Sequence, residues 1–467
     1  MASIYEPARE TPVADVLDVV VAGGGTAGVV AAMASARNGA KTLLLERSGF
    51  LGGHIPGQLL EHSVGWHDAK GDQIVAGIPQ EIVDRLVEMG ASPGHIRDDT
   101  GYTKFRIPIN HEEFKSLVTL MLAESGVTLL VYSPVVQALV NDGLVRGVVV
   151  ENKSGRQAFL SKVVVDCSGD ADIAAFAGAR FYKGGEDGGF LQPVSLLFKL
   201  GGIDFNQLLE YVEKNPDQFK LGVSPEILKE GDYINLWGFA ALLEKGYAEG
   251  VLSLKRKEMH FAGWLRTGEA VINVTRYAAD GTNAEQLSQA EIVLRRQVLE
   301  FVQFFRRYVP GFAHTYLSAS ASSVGVRETR RIVGLYQLSD DDVVTGQRFP
   351  DAVAQGGFPI DSHDPLGISM EAAEQIQTAY DIPYRCLVPE MVDGLIVAGR
   401  CISASRKAIA SARITGTVMA MGQAAGTAAA LCAQEDILPR HLNIATLQGM
   451  LIKQGALLPP VSQFKPS

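Results

Sequence analysis

Residues 18–46 hold the pattern that most restricts how this chain can fold. Asp18-Val19-Val20-Val21-Ala22 is a short β-branched run, the mark of a strand buried on both faces. Gly23-Gly24-Gly25-Thr26-Ala27-Gly28 follows at once, with Gly23, Gly25 and Gly28 in a G-x-G-x-x-G spacing. Small residues over 29–38 then predict a helix closed by Gly39, and 42–45 predicts a second strand ending at Glu46. Each part has a physical task. Gly23 permits a tight turn, Gly25 lets backbone approach a pyrophosphate, and Gly28 lets the helix lie close on the strand. The helix N-terminus, with Thr26 and Ala27, offers free N–H groups to phosphate. Glu46 lies at the distance where a carboxylate accepts the hydroxyls of an adenosine ribose. The pattern predicts a dinucleotide site.

Three later segments narrow the nucleotide. Arg47 to Leu51 leads into Gly52-Gly53-His54, a paired glycine soon after the ribose carboxylate. Val163-Val164-Val165-Asp166-Cys167-Ser168-Gly169 is an apolar strand ending in Ser-Gly. Gly394 to Gly399, followed by Arg400, is another strand ending in glycine, and Ile414-Thr415-Gly416 opens an apolar helix over 417–430. Their order resembles the FAD proteins of the glutathione-reductase-type superfamily. More closely, Gly325-Val326-Arg327-Glu328-Thr329-Arg330-Arg331, Asp361-Ser362-His363-Asp364-Pro365, Ile382-Pro383-Tyr384-Arg385 and Gly422-Gln423-Ala424-Ala425-Gly426 resemble the FAD-dependent oxidoreductase family that neighbours the succinate dehydrogenase and fumarate reductase flavoproteins. The likeness runs from about residue 18 to about residue 433. It implies FAD as cofactor and contacts from Gly52, Gly53, Ser168, Gly169, Gly399, Arg400, Ile414, Thr415 and Gly416, with Val136 beside the adenine. It departs at 414–417, where many relatives carry Pro-Thr-Cys. No second G-x-G-x-x-G unit occurs, so the electron partner is dioxygen, a second substrate or another protein.

The implied fold is α/β: a Rossmann-like FAD-binding domain with an inserted α+β substrate domain. The FAD domain is expected from 1–62, 105–200 and 385–440, the substrate domain from 63–104 and 201–384, and a C-terminal surface arm from 441–467. Strands are expected over 194–200 and 270–276, and a long helix over 289–308 stopped by Pro310-Gly311. The formal net charge of −10 argues against nucleic acid as a partner. The apolar stretch 418–433 contains Gln423 and much Ala and Gly, and reads as a buried helix, not a membrane span. The N-terminal residues lack the apolar core of a signal peptide, so a cytoplasmic enzyme acting on a small molecule, as a monomer or homo-oligomer, is expected.

Few residues suit the chemistry. His363 sits on an expected junction loop and can take a proton near neutral pH, or else is fixed by Asp361 or Asp364. Arg327, with Arg330, Arg331 and Glu328, either captures a carboxylate or belongs to a structural ion-pair network. Tyr384 and Arg385 precede the last FAD-contacting strand and are expected to face the pocket. His62 and His67 straddle Gly65 on no common helix face, and no metal is expected. Beside the succinate dehydrogenase-type pattern, His54 falls where a histidine bonds the flavin 8α-carbon. The resemblance therefore leaves two roles for His54, a covalent link or a packed contact. The implied reaction is hydride transfer between a small organic substrate and flavin. A flavin monooxygenase and an electron-transfer subunit are the alternatives.

Overall fold

A computed structural model describes residues 3–185, 191–222, 232–364 and 370–459. Its first sheet has seven strands, in the order Thr128–Leu130, Thr42–Leu45, Val13–Ala22, Gly155–Asp166, Leu144–Asn152 and Val135–Asn141, with Leu395–Val397 also paired to Gly155–Asp166. Val13–Ala22 runs parallel to both its neighbours, and its last four residues are buried on both faces. The glycine-turn helix spans Thr26–Arg37, starting three residues earlier than the small-residue run suggested, because the turn residues themselves supply its first turn.

The strand Gly155–Asp166 joins two stretches that the sequence presents separately. Its first half forms a hairpin with Leu144–Asn152, and Val164 to Asp166 pair in parallel with Leu395–Val397. One strand thus carries the outer hairpin and the Ser168-Gly169 turn.

The long helix Thr415–Glu435 crosses Thr26–Arg37 backbone to backbone. A Cβ on Gly422 would lie 2.3 Å from the Ala27 carbonyl oxygen, and one on Gly426 would lie 2.0 Å from that of Ala31. Residues 416–433 are buried in it except Ala420, so it is a core helix. Among the described residues no helix is long and apolar enough to cross a membrane. The stretch expected as an arm instead holds a helix, Ile444–Lys453, capped by Asn443 and seating Leu447 and Leu451 in the same core. Ile78–Glu88, expected against the substrate sheet, packs on helices of the nucleotide side.

The second sheet is antiparallel, in the order Phe219–Leu221, Tyr233–Gly238, Met259–Trp264, Glu269–Asn273, Phe198–Gly201 and Tyr316–Ser320. The helix Ala284–Tyr308 shares its apolar core. That helix begins five residues before the expected start because the Asn283 side chain accepts from the Gln286 N–H. This mixed α/β fold, with its parallel Rossmann-like strands, leaves a long cleft between the two sheets.

Candidate active site

One end of the cleft is built from backbone. The helix Thr26–Arg37 has no side-chain cap, so its first N–H groups are left for a ligand. A Cβ on Gly25 would meet nothing within 4 Å, which marks open space before those amides. Gly28 answers the opposite need: its Cβ would lie 1.8 Å from the Gly23 carbonyl oxygen, so helix and turn touch only because it is glycine. Gly53, at φ 56°, brings the second loop against Gly25, where a Cβ would lie 2.9 Å from the Gly25 Cα. The Glu46 carboxylate accepts from the Gly24 N–H at 2.6 Å and the Ser48 N–H at 2.7 Å. Each oxygen keeps a lone pair for a hydroxyl. Gly23, Thr26, Ala27, Arg47, Ser168, Gly169 and Gly399 line the same end. Uncapped amides, open space and a held carboxylate fit a dinucleotide.

Several expected contacts sit differently. Gly52 serves packing, since its Cβ would lie 2.5 Å from the Phe114 ring. Val136 lies in an irregularity of the outer hairpin and outside the cleft lining. Arg400 lines the cleft but donates to the Gly169 and Val326 carbonyls and, at 2.7 Å, to Asp170, so it ties two loops together. Ile414 and Thr415 line the cleft, whereas the Gly416 N–H donates to the Val64 carbonyl and its Cα abuts Gly65. His54 lines the cleft at the start of a short helix, half-buried, and burial with the Arg400 charge pushes its pKa down to about 3.

The family is decided by the whole chain. Residues 18–451 match the profile described as FAD dependent oxidoreductase. The chain belongs to that family. As an FAD-dependent oxidoreductase it uses FAD, and the backbone-built end is where this enzyme's residues fit the cofactor. No curated protein sequence matches it. Among solved structures it is similar to a geranylgeranyl bacteriochlorophyll reductase-like protein from Thermoplasma acidophilum, at 13% identity over 95% of this chain and 84% of that one, TM-score 0.42. It is similar to the myxobacterial chondrochloren halogenase at 12% identity, 93% and 78% coverage and TM-score 0.46. A p-nitrophenol 4-monooxygenase from Pseudomonas putida gives 12%, 95% and 83%, and 0.45. None is close enough to speak for this oxidoreductase's substrate.

The other end of the cleft is built from side chains. His363 closes the strand Ile360–His363, not a loop, and pairs there with Met370–Glu374. It is buried, its Nε2 lies 3.2 Å from Asp361, and its N–H donates to Gln192. Burial, then the charges of Arg327, Arg276, Arg413 and Arg256, hold its pKa well below the usual histidine value. Asp361 also meets Arg413 at 3.4 Å, and burial, then the Asp361 charge, pushes the Tyr102 pKa well up.

The Arg327 cluster comes apart in the fold. Arg327 lines the cleft, but Arg330 pairs with Asp172 at 2.8 Å and Arg331 with buried Glu328 at 2.6 Å. Tyr384 leaves the site altogether. It is buried in a short turn with its hydroxyl on the Pro439 carbonyl at 3.1 Å, and Arg385 pairs with Asp351. His62 lines the cleft 3.0 Å from the Tyr233 hydroxyl, and His67 packs on Phe105. Arg276, Arg413, Tyr102, Trp237 and Phe358 line the cleft without having been singled out. The one available signal was Arg413, directly before Ile414-Thr415.

Proposed function

We propose that the protein is a dehydrogenase or oxidase in which a small organic substrate gives a hydride to flavin and a proton to His363. The observation that carries this reading is His363 itself: a neutral imidazole, held by Asp361, lining the cleft that also holds the uncapped helix N-terminus. Bound there, FAD supplies the two-electron acceptor. Asp361 fixes the imidazole orientation, and burial, then the neighbouring arginines, holds its pKa well below the usual histidine value, so the ring is neutral when substrate arrives. Tyr102, Trp237 and Phe358 give the substrate side aromatic walls. The six-stranded sheet is assigned to the substrate domain. Four buried, unpaired cysteines support a reducing, cytoplasmic setting.

Anaerobic mixing with a panel of alcohols, amines, sugars and hydroxy acids tests the reading. A true substrate bleaches the flavin with no other reductant present. In His363→Asn, FAD stays bound and turnover falls by roughly 10²-fold or more. Near-normal turnover would return His363 to a structural part. Bleaching only by NAD(P)H, with oxygen then entering the product, would make the enzyme a monooxygenase.

Within the family we place the chain beside the succinate dehydrogenase and fumarate reductase flavoproteins, with His54 bonded to the flavin 8α-carbon. Its place just past the Gly53 turn and its neutral imidazole support this. Forming that bond would replace the imidazole N–H and one methyl hydrogen, with dioxygen as the two-electron oxidant, reduced to hydrogen peroxide. After acid precipitation the yellow colour stays with the pellet. Colour found wholly in the supernatant leaves His54 as a packed contact.

A further inference from the structure

Six arginines line the cleft, against two carboxylates, Glu46 and Asp361. Three of the six have a carboxylate within reach: Arg400 has Asp170, Arg106 has Asp98, and Arg413 has Asp361. Arg276 and Arg327 differ. Arg276 is 3% exposed, and its Nη1 donates only to neutral oxygens, Asn273 Oδ1 at 2.9 Å and the Thr275 carbonyl at 2.7 Å. Its Nε has no hydrogen-bond partner. Its backbone is clamped on both sides by buried Gln297 of the long helix. Arg327 Nη1 donates to the Pro193 carbonyl at 2.7 Å. Among the described residues neither forms an ion pair. Asp361, the one carboxylate that lines this end among the described residues, is already shared by Arg413 and His363.

Burying an unpaired guanidinium is costly unless an anion completes it. Burial, then the charges of Arg413 and Arg256, lowers the Arg327 pKa to about 9. The cofactor pyrophosphate has its own seat at the Thr26–Arg37 amides, with Arg47 and Arg400 on the same side of the cleft.

We infer that Arg276 and Arg327, with Arg413, form a clamp for a carboxylate carried by the substrate, so the molecule oxidised here is an organic acid with a flat apolar body. The body follows from the walls. Trp237 lies over His260 at 4.5 Å and 33°, and Tyr102 meets Phe358 edge-on at 5.3 Å, a surround suited to an unsaturated or ring-bearing group. Arg is the side chain suited to holding a carboxylate through two parallel N–H groups. The clamp rests on the reading of this end as the substrate side.

The clamp also gives His363 a condition for working. The charged groups facing it are Arg256, Arg276, Arg327 and Arg413, against Asp361. A bound carboxylate offsets those cations, so the imidazole becomes a stronger base only when an acid substrate is in place.

The FAD-loaded protein is titrated with benzoate, with benzamide as neutral isostere, and with phenyl phosphate, following the flavin absorbance. Benzoate should perturb the flavin at concentrations at least about tenfold below those of the other two. Arg276→Gln should weaken benzoate about ten- to hundredfold and leave benzamide unchanged. Arg276→Lys, which keeps a charge in the cavity, should hold FAD and lose part of the preference. Equal binding of benzoate and benzamide, no perturbation by any probe, or tightest binding by phenyl phosphate overturns the clamp. So does loss of FAD from Arg276→Lys, which would give the guanidinium to the cofactor. A protein that prefers benzoate yet is bleached by no substrate keeps the clamp and fails the dehydrogenase reading.

Discussion

The two ends of the cleft are made of different material. At the nucleotide end the contacts are N–H groups, carbonyls and missing side chains, set by Gly25, Gly28 and Gly53 within thirty residues of sequence, with the Glu46 carboxylate among them. At the arginine end every contact is a side chain, drawn from Tyr102, Trp237, Arg276, Arg327, His363 and Arg413. A backbone-built site can be specified by spacing alone. A side-chain-built site exists only after strands distant in sequence have paired, and there burial shifts the ionisation of Tyr102, Arg276, Arg327 and His363.

Substitutions at two glycines give the sharpest break between fold and ligand. Gly28→Ala drives a methyl into the Gly23 carbonyl, and the chain should fail to accumulate or lose more than about 3 kcal/mol of stability, read by urea denaturation. Gly25→Ala has ordinary φ and open space, so the fold should hold its melting temperature and lose FAD. If both variants lose FAD with equal stability, the distinction between packing and ligand glycines is wrong.

Acid should act on the other end. Burial holds His54 near pKa 3 and His67 near 4, and lowers His62, His95, His260 and His363. The unfolded chain takes up these protons below about pH 6.5 while the folded one does not, so stability is full above that pH and falls on acidification. Asp166, raised to about 6, with Asp172 and Asp381 also raised, works in the opposite sense and offsets part of the loss. A net fall in stability between pH 7 and pH 5 is expected. Urea midpoints followed through Trp237 and Trp264, both on the second sheet, measure it. An unchanged midpoint would mean these histidines are hydrated in solution.

Two smaller effects complete the contrast. Glu46→Ala removes an acceptor for ribose hydroxyls and should weaken FAD by about 1–3 kcal/mol, read by flavin release during dialysis. Tyr384→Phe removes one buried hydrogen bond to Pro439 and should cost about 1 kcal/mol of stability with turnover unchanged. A fall in turnover would bring Tyr384 back to the cleft.

How legible each end was follows from this difference. Gly23, Gly25, Gly28 and Glu46 could be placed from sequence because the turn, the close approach and the carboxylate each demand a fixed offset. The arginine end has no such offset. Arg327, Arg330 and Arg331 look like one cluster in sequence, but along extended backbone neighbouring side chains point apart. Arg330 and Arg331 go to Asp172 and Glu328, and the real companions of Arg327 come from 51 residues before it and 86 after it, as Arg276 and Arg413. Tyr384 was misplaced because the sequence before a cofactor strand does not reveal that Pro439 will lie against it. The helix of 444–453 was hidden by its polar neighbours, although Asn443 is a good cap.

The contact of Gly422 and Gly426 with Ala27 and Ala31 has a consequence for how the enzyme is made. Those partners are nearly four hundred residues apart, and a ribosome adds roughly 5–20 residues each second. The glycine-turn helix must therefore wait many seconds for this contact, until residues 422 and 426 have emerged. A chain stopped before residue 422 would lack the cover that Gly422 and Gly426 give this helix.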